Sequence, residues 1–119
     1  MKKYIKAAST FDTDKMEMQF SMLENEAYNA GYEFWVEDYE ISLSPRRGEK
    51  YLPDFFISRV DVGDGKFGYD VELQFPTVYL GPDEYADTAE FAIGQFQKAA
   101  KLATKIKNFT VNPNEEYED

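Results

Sequence analysis

The chain has 119 residues, with 13 lysines and arginines against 23 aspartates and glutamates, a formal net charge of -10, and neither histidine nor cysteine. The length suits one domain, and its hydrophobic (43%) and aromatic (17%) fractions separate it from disordered acidic chains, which lack packing material. The missing residue types exclude disulfides, thiolate zinc sites, thiol nucleophiles and histidine-based triads or metal sites, and the charge disfavours nucleic acid and anionic membranes as direct partners.

The opening, Met1 to Lys6, is basic but has no apolar core, so it does not read as a signal peptide. No apolar run approaches the ~20 residues that span a bilayer. Tyr4 to Ser9 reads as a short edge strand or ordered arm. Asp14 with Glu17 three residues later reads as an acidic capping box. Met16, Phe20, Leu23, Ala27 and Ala30 then recur at helical spacing, and Gly31 supplies the stop. Met16, Met18, Phe20 and Met22 also alternate as a strand would, but the helix accounts for more residues.

From Tyr32 to Ser44 the pattern is a strand with a defect. Tyr32, Phe34 and Val36 are apolar at even positions, whereas Tyr39, Ile41 and Leu43 are apolar at odd ones. A change of parity requires a bulge or break, placed here at Glu37-Asp38. Pro45-Arg46-Arg47-Gly48 is a turn. Leu52 to Val62, with Phe and Val on both faces, reads as a central strand, and Gly63-Asp64-Gly65 as a hairpin connection. Phe67, Tyr69, Val71, Leu73 and Phe75 alternate with Gly68, Asp70, Glu72 and Gln74, giving one apolar and one acidic face.

Gly81-Pro82-Asp83-Glu84 opens a second helix. Its buried seam is Tyr85, Ala89, Ala92, Phe96, Ala99, Ala103 and Ile106. Lys98, Lys101, Lys105 and Lys107 gather toward its C-terminal end, complementing the dipole. The expectation is a single α+β domain over residues 1–110, order β-α-β-β-β-α. An antiparallel sheet of three to four strands carries two packed helices, and an acidic flexible tail covers 111–119. With both helices on one sheet face, Asp70, Glu72 and Gln74 lie on the other.

The charge is unevenly spread. Residues 16–45 hold seven carboxylates and no base, and 61–97 hold eight acids against Lys66 alone. Such a skin serves solubility; it also resembles a line of phosphates, because carboxylates pair with arginine bidentately as phosphates do. Tyr32, Trp35, Tyr39, Tyr79 and Tyr85 sit among these acids, and Tyr and Trp beside charge are common interface anchors. Trp35, next to the suspected bulge, is the preferred single anchor. The candidate partner-binding residues are Glu24, Glu26, Glu33, Trp35, Glu37, Asp38, Tyr39, Glu40, Asp70, Glu72, Asp83, Glu84 and Asp87. No catalytic residue, metal ligand or cofactor is expected. Asp61-Val62-Gly63-Asp64-Gly65 fails the ligand spacing of a calcium loop. Arg46, Arg47 and Lys50 form a compact basic patch that reads first as a solvated turn; the alternative is that it pairs with an acidic patch on a second copy, making a homodimer.

Two resemblances bear on function. Pro53-Asp54 followed by Glu72-Leu73-Gln74 resembles the PD-(D/E)xK nuclease pattern, which implies metal binding by Asp54 and Glu72. Gln74 stands where that family places its lysine. The start Met1-Lys2-Lys3-Tyr4-Ile5-Lys6-Ala7-Ala8-Ser9 is similar to those of small phage and mobile-element proteins of Gram-positive bacteria. With its size and acidity, the chain resembles in general character the anti-CRISPR and anti-restriction inhibitors, some of which block a nuclease's DNA-binding groove, Cas9 among the targets. That resemblance implies a cytoplasmic, non-catalytic protein that occupies the DNA-binding surface of a basic nucleic-acid-binding host protein. The alternatives are an immunity or adaptor module without DNA mimicry, and a degenerate metal-dependent nuclease.

Overall fold

The structure, a computed structural model, describes residues 10–81 and 85–112, with backbone alone for 10–17 and 85–86. It is an α+β domain. Six elements follow in order: α1 (Thr10–Asn29), β1 (Tyr32–Glu37), β2 (Glu40–Pro45), β3 (Asp54–Gly63), β4 (Lys66–Gln74) and α2 (Tyr85–Lys107). The expected strand at Tyr4–Ser9, the helix opening at Pro82-Asp83-Glu84 and the tail from Pro113 on lie outside the described residues.

The first helix begins at Thr10, so Asp14 and Glu17 lie within it and not at its cap. Phe20, Leu23, Ala27 and Ala30 are buried along one face as their spacing requires, while Met18 and Met22 are exposed, which rules out the alternating strand. Gly31 ends the helix with φ +96°, and a β-carbon there would lie 2.9 Å from Leu52 Cδ1. The position therefore needs glycine for both its backbone angle and the close approach of the 46–53 loop.

The parity change after Val36 comes from a hairpin, not a bulge. β1 and β2 pair antiparallel with Glu37 opposite Glu40, leaving Asp38 (φ 53°) and Tyr39 (φ 64°) as a two-residue turn. Positive φ at both positions is the type I′ geometry that suits the right-handed twist of the strands. In a two-residue hairpin the inward residues of the partners are even on one strand and odd on the other. Val36 faces Ile41 and Phe34 faces Leu43 in this way.

β3 and β4 form a second hairpin, with Phe55 opposite Leu73, Ile57 opposite Val71 and Arg59 opposite Tyr69. The expected central strand is thus half of a two-stranded sheet. No ladder joins β2 to β3 among the described residues; the sheets are β1-β2 and β3-β4. Side chains join them instead. The Tyr69 hydroxyl donates to the Tyr39 carbonyl. Arg59 donates to the Asp38 carbonyl at 3.4 Å, meets Glu40 at 3.8 Å and lies 4.3 Å over the Phe67 ring.

Both helices contribute to the core on the inward face of these hairpins, where Tyr32, Ile41, Phe55 and Tyr69 meet Ala27 of α1 and Ala99, Leu102 and Ile106 of α2. Phe109, just past α2, stacks on Tyr69 and meets Phe20 edge-on at 4.8 Å. Val111, expected in the tail, is buried and exchanges both backbone hydrogen bonds with Phe67, covering the outer edge of β4. Gln95 is buried in the α2 seam, and its Nε2 donates to the Lys50 carbonyl (2.9 Å) and to Glu49 Oε1 (3.2 Å), fixing the 46–53 loop. The Tyr32 hydroxyl donates to the Pro53 carbonyl in the same loop.

Candidate functional site

Strand alternation sorts the outward residues. On the first hairpin they are Glu33, Trp35 and Glu37, facing Ser44, Ser42 and Glu40; on the second, Asp54, Phe56 and Ser58 face Gln74, Glu72 and Asp70. All of these side chains are exposed. The helices occupy the other face, so a single helix-free surface gathers six carboxylates: Glu33, Glu37, Glu40, Asp54, Asp70 and Glu72. The expectation that Asp70, Glu72 and Gln74 would lie opposite the helices agrees with this arrangement.

Six of the thirteen candidate residues therefore share one face: Glu33, Trp35, Glu37, Glu40, Asp70 and Glu72. Asp38 and Tyr39 form the turn at its edge. Tyr39 is half-buried, its ring meeting Phe67 at 5.6 Å, so it serves the hairpin junction and is a poor free anchor. Glu24 and Glu26 lie on α1 and Asp87 on α2, away from the sheet surface. Asp83 and Glu84 lie outside the described residues. Among the candidate acids, Glu26 meets Lys105 at 3.7 Å, Glu40 meets Arg59 at 3.8 Å and Asp70 meets Lys107 at 3.9 Å. These are exposed pairs at long range, weak enough to exchange partners.

Trp35 is 51% exposed on the outer face, and Phe56 is 52% exposed on the same face. Sequence reasoning missed Phe56. It took Phe on both faces of this strand as the mark of a central strand, whereas one of those faces is open. The signal was present: Asp54, Phe56 and Ser58 share the parity set by Asp70 and Glu72 across the hairpin.

Between β2 and β3, where no ladder forms, a cleft of about 470 Å³ opens. Ile41, Leu43, Phe55 and Ile57 are its inward-facing residues, and Ser42, Phe56, Asp70 and Glu72 line it from the outer face. An apolar floor beneath carboxylates matches the build of a lysine or arginine side chain, whose stem is apolar and whose head is cationic.

Asp54 and Glu72, the two carboxylates of the nuclease resemblance, are diagonal neighbours on the outer face, since Asp54 pairs with Gln74 and Phe56 with Glu72. Among the described residues, no group of three or more acidic side chains is placed to hold a metal ion. No described helix is long and apolar enough to cross a membrane.

Two buried hydroxyls hold the frame of this face. Burial pushes the Tyr32 phenol above its ordinary range, and Asp54 and Glu49 add to the effect. Burial raises Tyr69 likewise, against the opposing pull of Arg59. No family model, no curated protein and no solved structure matches this chain.

Proposed function

We propose that the chain is a non-catalytic binding protein of the bacterial cytoplasm. In this reading its acidic sheet face occupies the nucleic-acid-binding surface of a basic host protein, with a CRISPR effector or restriction nuclease as the leading class of target. The observation that supports it is one helix-free face carrying six carboxylates together with Trp35 and Phe56. Carboxylates replace phosphates against arginine and lysine. The two aromatics supply apolar anchors, and the cleft beside Asp70 and Glu72 receives a cationic side chain. Arg59 and Lys107 hold two of the acids loosely in the free protein and are displaced by stronger partners.

The test uses purified protein against a panel of RNA-guided and restriction nucleases, with DNA binding and DNA cleavage measured together. The expected result is that one member loses DNA binding in proportion to added protein. Excess DNA then relieves the inhibition, and D70K/E72K abolishes it. Added salt weakens the interaction, because charged contacts dominate it. Binding that leaves DNA affinity unchanged would end the mimicry reading and favour an adaptor. Divalent-metal-dependent cutting by the protein itself, lost in Asp54→Ala, would overturn the non-catalytic reading.

A further inference from the structure

The second helix carries a charge pattern that forms no ion pair among the described residues. Asp87, Glu90, Lys98 and Lys101 are exposed and, with half-buried Gly94 between them, lie on one stripe of α2, because offsets of three, four and seven residues return to the same helical face. Its N-terminal half is acidic and its C-terminal half basic. Intrahelical pairing needs partners three or four residues apart. Glu90 instead finds Ile93 and Gly94 at those positions, and Lys98 finds Gln95 and Gly94. Eight residues separate Glu90 from Lys98, about 12 Å along the axis. None of the four charged residues forms an ion pair among the described residues.

The same pattern is self-complementary about its centre. Asp87 and Lys101 each lie seven residues from Gly94, and Glu90 and Lys98 each lie four. An antiparallel second copy of the helix, related by a two-fold axis at Gly94, sets Asp87 against Lys101 and Glu90 against Lys98 on both sides. A two-fold interface must be self-complementary in this sense. Gly94 suits the axis: a β-carbon there would meet nothing within 4 Å, so the space above it is open to a neighbour. A shallow trough of about 600 Å³ runs along this stripe past Gly94 and Lys98, with Phe91, 50% exposed, on its rim. Small residues at a crossing point let helix axes approach to about 8 Å.

We infer that this stripe of α2 is a homodimer interface and that its occupant is the antiparallel α2 of a second copy. The inference rests on α2 alone and does not depend on what the acidic sheet face binds. The loop that carries Arg46, Arg47 and Lys50 borders this stripe, since the Lys50 carbonyl accepts from Gln95 and Tyr51 meets Phe91 at 6.1 Å, but the charges that pair across the dimer are those of α2. Arg46 is occupied within the chain, its guanidinium 4.2 Å over Tyr28 and 3.8 Å from Glu49. Because α2 packs on the inner side of the hairpins, the pairing leaves both acidic faces open, and the dimer presents two of them.

The experiment is sedimentation equilibrium of the full chain at about 0.15 M salt, where a Debye length of about 8 Å screens the chain-wide repulsion more than contacting pairs. The expected mass at high micromolar concentration is twice 13.8 kDa. D87K/E90K makes the stripe wholly basic and K98E/K101E makes it wholly acidic; each variant alone is expected to be monomeric, and an equimolar mixture to restore the dimer. The D87K/E90K arm is decisive, because it moves the net charge from -10 to -6, two units per substitution, and so lowers the general repulsion while removing the dimer. A monomeric wild-type chain, a dimeric D87K/E90K variant, or a mixture no heavier than its components would overturn the inference. Circular dichroism checks that each variant folds. Where one does not, cysteine placement gives the second reading, as the chain has no native thiol. Gly94→Cys is expected to form a disulfide-linked dimer on mild oxidation and Ala100→Cys, off the stripe, to stay monomeric; equal linking of both would count against the interface.

Discussion

Two single-oxygen deletions test how this domain is held together. The hairpins share no ladder, and the Tyr69 hydroxyl, donating to the Tyr39 carbonyl, is one of the polar links that replace it. Tyr69→Phe keeps the ring and its stacking on Phe109 but removes that bond. A hydrogen bond contributes about 0.5–1.5 kcal/mol net, and the half-buried Tyr39 turn can take water in exchange, so the expected loss is about 1 kcal/mol. Unfolding entropy of about 2.1 cal/mol/K per residue gives roughly 250 cal/mol/K for 119 residues, so the melting temperature should fall by about 4 °C. Tyr32→Phe is the sharper case. Tyr32 and Pro53 are both buried, so the orphaned Pro53 carbonyl cannot regain water, and the loss should reach about 2–3 kcal/mol. Thermal melts by near-ultraviolet circular dichroism, with denaturant titrations to confirm an unchanged slope, read both. The order is the test: equal losses, or Tyr69→Phe the more damaging, would refute the claim that burial of the abandoned acceptor sets the scale.

Gly31→Ala should destabilise the domain by at least about 2 kcal/mol, since a β-carbon at positive φ costs about 1–2 kcal/mol and the 2.9 Å contact with Leu52 adds overpacking; a denaturant midpoint within error of wild type would contradict this. Stability should fall as pH rises above 10.0, the free phenol value, because both buried tyrosines have raised folded-state pKa values: their contribution is complete below the unfolded value and is lost at more alkaline pH. The slope about a unit above that value should approach about 1.4 kcal/mol per pH unit for each group, and a Tyr32→Phe/Tyr69→Phe variant should flatten it; an unchanged slope in that variant would assign the alkaline loss elsewhere. Trp35→Ala with Phe56→Ala should shift stability by under about 1 kcal/mol yet weaken partner binding by more than about 2 kcal/mol, some thirty-fold, by titration calorimetry. Unchanged affinity would remove the aromatics from the interface.

Much of the architecture was legible because periodicity reports burial directly. Phe20, Leu23, Ala27 and Ala30 mark the α1 seam, and the alternation from Phe67 to Leu73 marks β4. The parity change after Val36 was also visible, but a bulge and a two-residue hairpin both produce one. Asp38-Tyr39 lacks the glycine that usually announces a type I′ turn. What holds Tyr39 at positive φ is tertiary: its carbonyl receives the Tyr69 hydroxyl and its ring meets Phe67, thirty and twenty-eight residues away. Gln95 was illegible for the same reason, because its burial depends on the Glu49 and Lys50 groups it bonds. The split between β2 and β3 leaves no local mark at all, since a strand's sequence does not record whether its second edge is paired. The cleft of the candidate site was hidden with it.

The sheet face also separates two explanations for the acidity. An isolated two-stranded hairpin is marginal in water, and here each is stabilised by the helices on its inner side. The outer side is free of that duty, so its residues are not dictated by the core. Glu37 lies directly opposite Glu40, a like-charge pair that weakens the hairpin it closes. Arg59 at Glu40 and Lys107 at Asp70 offset part of this cost, so fold stability accounts for only part of the charge. Solubility accounts for the carboxylates but not for Trp35 and Phe56, which are half-exposed on the same face and work against it. A binding face accounts for both, because an interface needs apolar anchors within a charged surround. The two explanations part in a measurable way. With the aromatics removed, a face serving solubility makes the protein more soluble with nothing lost, whereas the proposed binding face keeps its charge and loses its partner.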